Sequence, residues 1–188
     1  VRKLCVIDNG VGMDGEDLRK LMNHMFSSGK QQGVTGNFGI GAKVAGLTHS
    51  PNGMVYQVWK EGYGYFGILM KHPENDQYGL RQFETEDGDL EPYLAVEDEN
   101  KPSFNNCTIT EHGTKVTLMG SKSEQDTFQP EDANYGPNWL ARYLNSRYLS
   151  VPENVKLSVQ CNVHKDSDGE RKYQMRTIRG MKYFNEKY

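Results

Sequence analysis

Two glycine clusters, the first opened by a carboxylate, hold the residues best suited to chemistry. The first is Asp8-Asn9-Gly10-Val11-Gly12-Met13 and the second is Gly36-Asn37-Phe38-Gly39-Ile40-Gly41-Ala42-Lys43. A carboxylate at a strand end can accept a hydrogen bond from an exocyclic amine, and Gly10 and Gly12 leave room for a flat ring against the backbone. In the second cluster Gly36, Gly39 and Gly41 let the backbone approach a ligand closely. The residues that follow can start a helix, whose free N–H groups and dipole attract anions such as phosphate. Two familiar phosphate motifs do not fit. The Rossmann pattern is G-x-G-x-x-G directly after an apolar strand, whereas here the order is G-x-x-G-x-G behind polar Ser27-Ser28-Gly29-Lys30-Gln31-Gln32. The P-loop needs Lys and then a hydroxyl residue right after its last glycine, but Ala42 intervenes and Val44 replaces the hydroxyl. Each cluster alone also reads as an ordinary turn.

Several elements must position these residues. Residues 3–7 form a short apolar run suited to a buried strand that ends in Asp8. A helix is predicted from Asp14, which can cap it, with Asp17 three residues on as an acidic version of the capping box. Its apolar face is Leu18, Leu21, Met22, Met25 and Phe26. Residues 27–37 have no periodicity and contain three glycines, so they are expected to be mobile and to cover a ligand. Lys30 in that run either meets a phosphate or is solvated, and Lys43 is either a phosphate ligand or a surface helix lysine. Residues 54–60, 65–70 and 78–84 read as an antiparallel meander, which suits an α/β sandwich better than a doubly wound sheet. Residues 85–106 are acidic and poor in apolar clusters apart from Tyr93-Leu94-Ala95-Val96, and the whole stretch is expected to form a long surface insertion. Residues 107–110 and 114–119 are expected to pair as strands around Gly113-Thr114. Asn138 can cap a helix through Trp139, Leu140, Tyr143, Leu144 and Leu149, stopped by Pro152. A hairpin of residues 155–161 and 172–178 follows, turning at Ser167-Asp168-Gly169, and residues 180–188 show no clear cap.

The composition bounds the function. At 188 residues the chain is most simply one domain with a real core, and a formal charge of −3 argues against a dominant nucleic-acid-binding surface. Cys5, Cys107 and Cys161 have neither metal spacing nor a disulfide framework, which fits a reducing compartment: the cytoplasm, with the nucleus left open. No apolar run approaches membrane-spanning length, so no membrane partner is expected.

The order of the boxes resembles a known family. Asp8-x-Gly10-x-Gly12, Gly36-x-x-Gly39-x-Gly41 and Glu111-His112-Gly113-Thr114-Lys115-Val116 are similar to the three glycine boxes of the GHKL ATP-binding domain. That domain is shared by gyrase B subunits, heat-shock chaperones of the ninety-kilodalton class, sensor histidine kinases and MutL proteins. The resemblance is closest to the chaperones and the microrchidia (MORC) ATPases. It implies a single Bergerat-type domain over residues 1–188, a two-layer α/β sandwich with a mixed, mostly antiparallel sheet covered by helices on one face. It implies ATP and Mg2+ as ligands, held by Asp8, Gly10, Gly12, Met13, Gly36, Asn37, Phe38, Gly39, Ile40, Gly41, Ala42, Lys43 and Thr114. In that scheme Asp8 reads the adenine amine, Thr114 assists through water, and a lid over about residues 14–41 closes on the phosphates. ATP hydrolysis would drive a conformational change or nucleotide-dependent homodimerisation, with protein or DNA clients engaged through other domains. The family's water-activating Glu and magnesium-holding Asn sit on a helix that would precede Val1, so no catalytic residue is assigned and the chain is expected to belong to a longer one. A histidine-kinase phosphotransfer domain and a non-catalytic nucleotide-binding or protein-interaction module are the alternatives.

Overall fold

The computed structural model describes residues 1–23, 40–104, 107–128, 138–165 and 171–187. The chain divides into two compact units, Val1–Pro130 and Glu131–Tyr188.

In the first unit the elements run β1 (Cys5–Asp8), α1 (Gly15–Asn23), α2 (Ile40–His49), β2 (Met54–Lys60), β3 (Tyr63–Lys71) and β4 (Tyr78–Leu80). Short ladders follow: β5 (Phe83–Glu84) with β6 (Leu90–Glu91), and β8 (Ser103–Phe104) with β9 (Cys107–Thr108), the latter pair after β7 (Leu94–Val96). β10 (Gly113–Leu118) closes the unit. The main sheet has the order β1-β10-β2-β3-β4, with β7 on β3, and every pairing in it is antiparallel. The expected mixed α/β fold with a mostly antiparallel sheet is therefore present.

The strands are two-faced because their apolar residues alternate. Met54, Tyr56 and Val58 of β2, Leu69 of β3 and Leu80 of β4 bury one face against Leu18 and Met22 of α1. Asp14 caps α1 as expected, its Oδ1 accepting from the Asp17 N–H at 2.8 Å. Met25 and Phe26, expected on the same helix face, lie outside the described residues. At the start of β1 the Lys3 ammonium donates to the carbonyls of Met119, Ser123 and Gln125 at 2.7, 3.0 and 2.8 Å, tying the strand to the chain after β10.

Two expectations need correction here. Residues 107–110 do not pair with 114–119. β9 pairs with β8, while β10 lies between β1 and β2 and fills both of its edges from them. Residues 85–106 are also not all surface, since Leu94–Val96 extends the sheet along β3. The pairing β7 makes is long-range, and three residues are too few to show a period.

The second unit contains α3 (Trp139–Arg147), the hairpin β11 (Leu157–Lys165) and β12 (Arg171–Ile178), and α4 (Met181–Lys187). Ala141, Val159 and Ile178 form its core. The side chain of Asn138 makes no cap hydrogen bond, so the expected capping role fails. The helix stops at Arg147, ahead of Pro152, where the Tyr148 N–H returns to the Leu144 carbonyl at 3.1 Å. The helix over Met181–Lys187 was not expected from sequence. Its start is held by Asn145, whose Oδ1 accepts from the N–H groups of Arg179 and Gly180 at 2.9 and 3.1 Å. The turn at Ser167-Asp168-Gly169 lies outside the described residues.

Candidate functional site

The site begins with a register. β1 and β10 pair so that Asp8 stands directly opposite Thr114, and Thr114 in turn stands opposite Val58 of β2. Cross-strand partners share a sheet face. Val58 is fully buried beneath the helices, which places the row Asp8–Thr114–Val58 on the helix-bearing face. Residues 106 positions apart in sequence thus meet as neighbours, the Asp of the first box and the Thr of the last.

That face is packed at one end and open at the other. Val6 lies in the next row with Val116 and buried Tyr56, yet it is 61% exposed. Asp8 is exposed too. Its Oδ1 accepts from the Gly10 N–H at 2.9 Å, and Oδ2 has no partner among the described residues. One carboxylate oxygen therefore fixes the turn while the other can accept from an external donor.

Gly12 explains why the box needs glycine. Its φ is +66°, and a Cβ there would overlap the carbonyl oxygen of Trp59 and approach the Gly113 nitrogen at 3.1 Å. A Cβ on Gly113 would meet the Asp8 carbonyl oxygen at 2.6 Å. The first box, the end of β2 and the Gly-Thr box therefore touch backbone to backbone, with no room for side chains between them. Trp59 is itself immobilised, with no exposed surface and its indole lying over Gly64.

Lys60, the next residue, was not singled out in the sequence. Its ammonium bridges Asp14 at 3.0 Å and Asp17 at 2.8 Å, joining the end of β2 to the first turn of α1. Asp14 is held below the usual carboxylate range, first by the Asp17 N–H and then by Lys60. The same two carboxylates raise the pKa of Lys60, Asp17 contributing most. No sequence signal marks this residue, because its partners are remote in the chain. Met13 is partly buried against the helix-side core.

The second cluster is placed only in part. Gly36, Asn37, Phe38 and Gly39 lie outside the described residues, as does Lys30. Ile40, Gly41, Ala42 and Lys43 form the first turn of α2. Gly41 faces open space, since a Cβ there would meet nothing among the described residues within 4 Å. Lys43 is 5% exposed and its ammonium donates to the Leu21 carbonyl. Leu21 belongs to α1, so the lysine ties that helix to the start of α2. Burial pulls its pKa down. A cavity of about 380 Å³ opens beside it, lined mainly by Met22, Val44, Leu47, Leu69, Tyr78 and Leu80. This lies at the β3–β4 end of the sheet, away from β1 and Asp8.

Among the described residues no cluster of three or more His, Cys, Asp or Glu could hold a metal, and no helix is long and apolar enough to cross a membrane. No curated protein and no solved structure shows a significant match to the chain. The family model described as histidine kinase-, DNA gyrase B-, and HSP90-like ATPase matches residues 1–114, from the start of the chain to the Thr114 that faces Asp8. The chain belongs to the histidine kinase-, DNA gyrase B-, and HSP90-like ATPase family.

Proposed function

We propose that the chain binds Mg2+-ATP with the adenine ring at the Asp8–Thr114 row and hydrolyses it, closure of the segment between the two glycine boxes coupling the nucleotide to a conformational change or to dimerisation. Family membership supports ATP binding in general. The observation that carries the finer reading is the register that sets Asp8 opposite Thr114, beside a Gly12 packed too tightly for any side chain. An adenine amine can donate to the Asp8 Oδ2, and the uncovered face around Val6 is apolar enough for a flat ring. Guanine would present a carbonyl oxygen to the same carboxylate. An unpaired buried polar group costs about 1–3 kcal/mol, which corresponds to about tenfold to hundredfold discrimination.

The phosphates belong in this reading to the second box, with Gly41 and Ala42 in the first turn of α2 offering backbone N–H groups. Magnesium commonly binds through substrate phosphates and only one or two carboxylates, so the lack of a cluster among the described residues is compatible with an ion carried by the nucleotide. Lys43 ties α1 to α2 in the structure, and its proposed contribution is to hold that helix start in place.

Titration of the full chain with Mg2+-ATP and Mg2+-GTP tests the reading. Binding of ATP at least tenfold tighter than GTP is expected, and equal affinities would remove Asp8 as the base reader. Release of inorganic phosphate would establish hydrolysis, whereas transfer of the γ-phosphate to protein would favour the kinase alternative.

A further inference from the structure

We propose that Lys60 is a positioning residue for the nucleotide site, setting the path of residues 9–13 by clamping the start of α1 to the end of β2. This rests on the adenine-binding reading above. Residues 9–13 span from Asp8, fixed by the β1–β10 register, to Asp14, the cap of α1. Their course must bring Gly12 onto the Trp59 carbonyl. Trp59 and Lys60 are consecutive, so one strand end supplies two anchors to positions two residues apart on the loop. The Trp59 carbonyl receives the backbone at Gly12, and the Lys60 ammonium receives the carboxylates of Asp14 and Asp17.

The clamp continues beyond Lys60. The turn after it, Glu61-Gly62, has φ values of +53° and +84°. The Gly62 N–H donates to the Glu111 carbonyl at 3.3 Å, beside the Gly-Thr box. The Gly62 carbonyl accepts from the Lys101 ammonium at 3.4 Å, and Lys101 pairs with Asp98 at 2.8 Å. The end of β2 and the turn after it thus touch both boxes that would frame the adenine, Trp59 at Gly12 and Gly62 at Glu111. Without the ammonium, Asp14 and Asp17 would face each other in one helical turn as uncompensated like charges, and the loop would lose its ionic tie to β2, keeping Gly12 on Trp59, the Gly10–Asp8 hydrogen bond and the packing of Met13.

Two measurements on the full chain test this, using Lys60→Met, Asp17→Asn and the charge-preserving Lys60→Arg. The first is amide hydrogen exchange without nucleotide, with residues 113–118 as internal reference. Exchange across residues 9–17 should rise about tenfold in Lys60→Met, less in Asp17→Asn, and return toward wild type in Lys60→Arg. The second is the dissociation constant for Mg2+-ATP, taken well below the melting temperature so that lost stability alone does not move it. It should weaken about tenfold in Lys60→Met and recover in Lys60→Arg, the scale of one misplaced charge-assisted hydrogen bond. Faster exchange with unchanged affinity would overturn the positioning role and leave Lys60 a structural tie. Unchanged exchange would overturn the clamp itself. If the wild type binds no adenine nucleotide, the proposed function fails and the positioning role fails with it, while the exchange data still report whether the clamp exists.

Discussion

The two glycine boxes look alike in sequence and behave differently in the structure. In the first, glycine is demanded by the protein's own backbone: Gly12 lies on the Trp59 carbonyl with a left-handed φ. In the second, Gly41 lies in the first turn of α2, and a side chain there would meet none of the described residues. The described residues therefore account for the glycine at 12 and not for the glycine at 41. A glycine in a first helical turn that no described residue packs against costs helix stability, and a function at that position would offset the cost. Close approach of a ligand to the backbone is such a function.

This contrast can be broken by substitution. Gly12→Ala carries the largest expected effect. Overlap with Trp59 and the strained φ together should cost more than about 3 kcal/mol, read as a large fall in the denaturation midpoint or a failure to fold. A mild loss would mean that the first box is an ordinary turn. Asp14→Ala comes next and should lower stability by about 1 kcal/mol in urea unfolding, the usual cost of a lost N-cap. Gly41→Ala should do the reverse. With no described residue within 4 Å of its Cβ, alanine should raise stability by about 0.5 kcal/mol through helix propensity while weakening Mg2+-ATP binding. Stabilisation without loss of affinity would take residue 41 out of the phosphate site.

The smallest effect is a pH dependence. Asp14 has its folded pKa depressed below the ordinary 3.8, so the unfolded state binds its proton more tightly. The stability it contributes is present above 3.8 and is lost as pH falls through the lower folded value. Asp14→Asn should flatten that acid limb slightly, because the group is solvent-screened. An unchanged acid limb would show that Asp17 and Lys60 do not hold the Asp14 carboxylate in solution.

Local features were legible in the sequence and non-local ones were not. The apolar alternation of β2 and β3, the amphipathic start of α1 and the Asp14 cap all follow from short-range spacing. The three boxes also resembled the family to which the chain proves to belong. The facing of Asp8 and Thr114, the anchoring of Gly12 on Trp59 and the bridge from Lys60 depend on register between distant strands, which no single sequence shows. The inward turn of Lys43 was equally hidden. A lysine after a glycine cluster can face an anion or a neighbouring helix, and here it reaches the Leu21 carbonyl of α1. β7 and α4 were missed because both are short and make their key hydrogen bonds to segments remote in the chain.

The most direct test of the central claim is a thermal melt of the full chain and of Asp8→Asn, with and without a non-hydrolysable Mg2+-ATP analogue. Ligand at about a hundred times its dissociation constant adds about 2.7 kcal/mol, worth about 5–10 °C in a chain of this size. An upward shift of that size in the wild type and none in Asp8→Asn, with similar melting points for the two proteins without ligand, is the predicted result. Equal shifts in both proteins would contradict the assignment of Asp8 as the residue that reads the base.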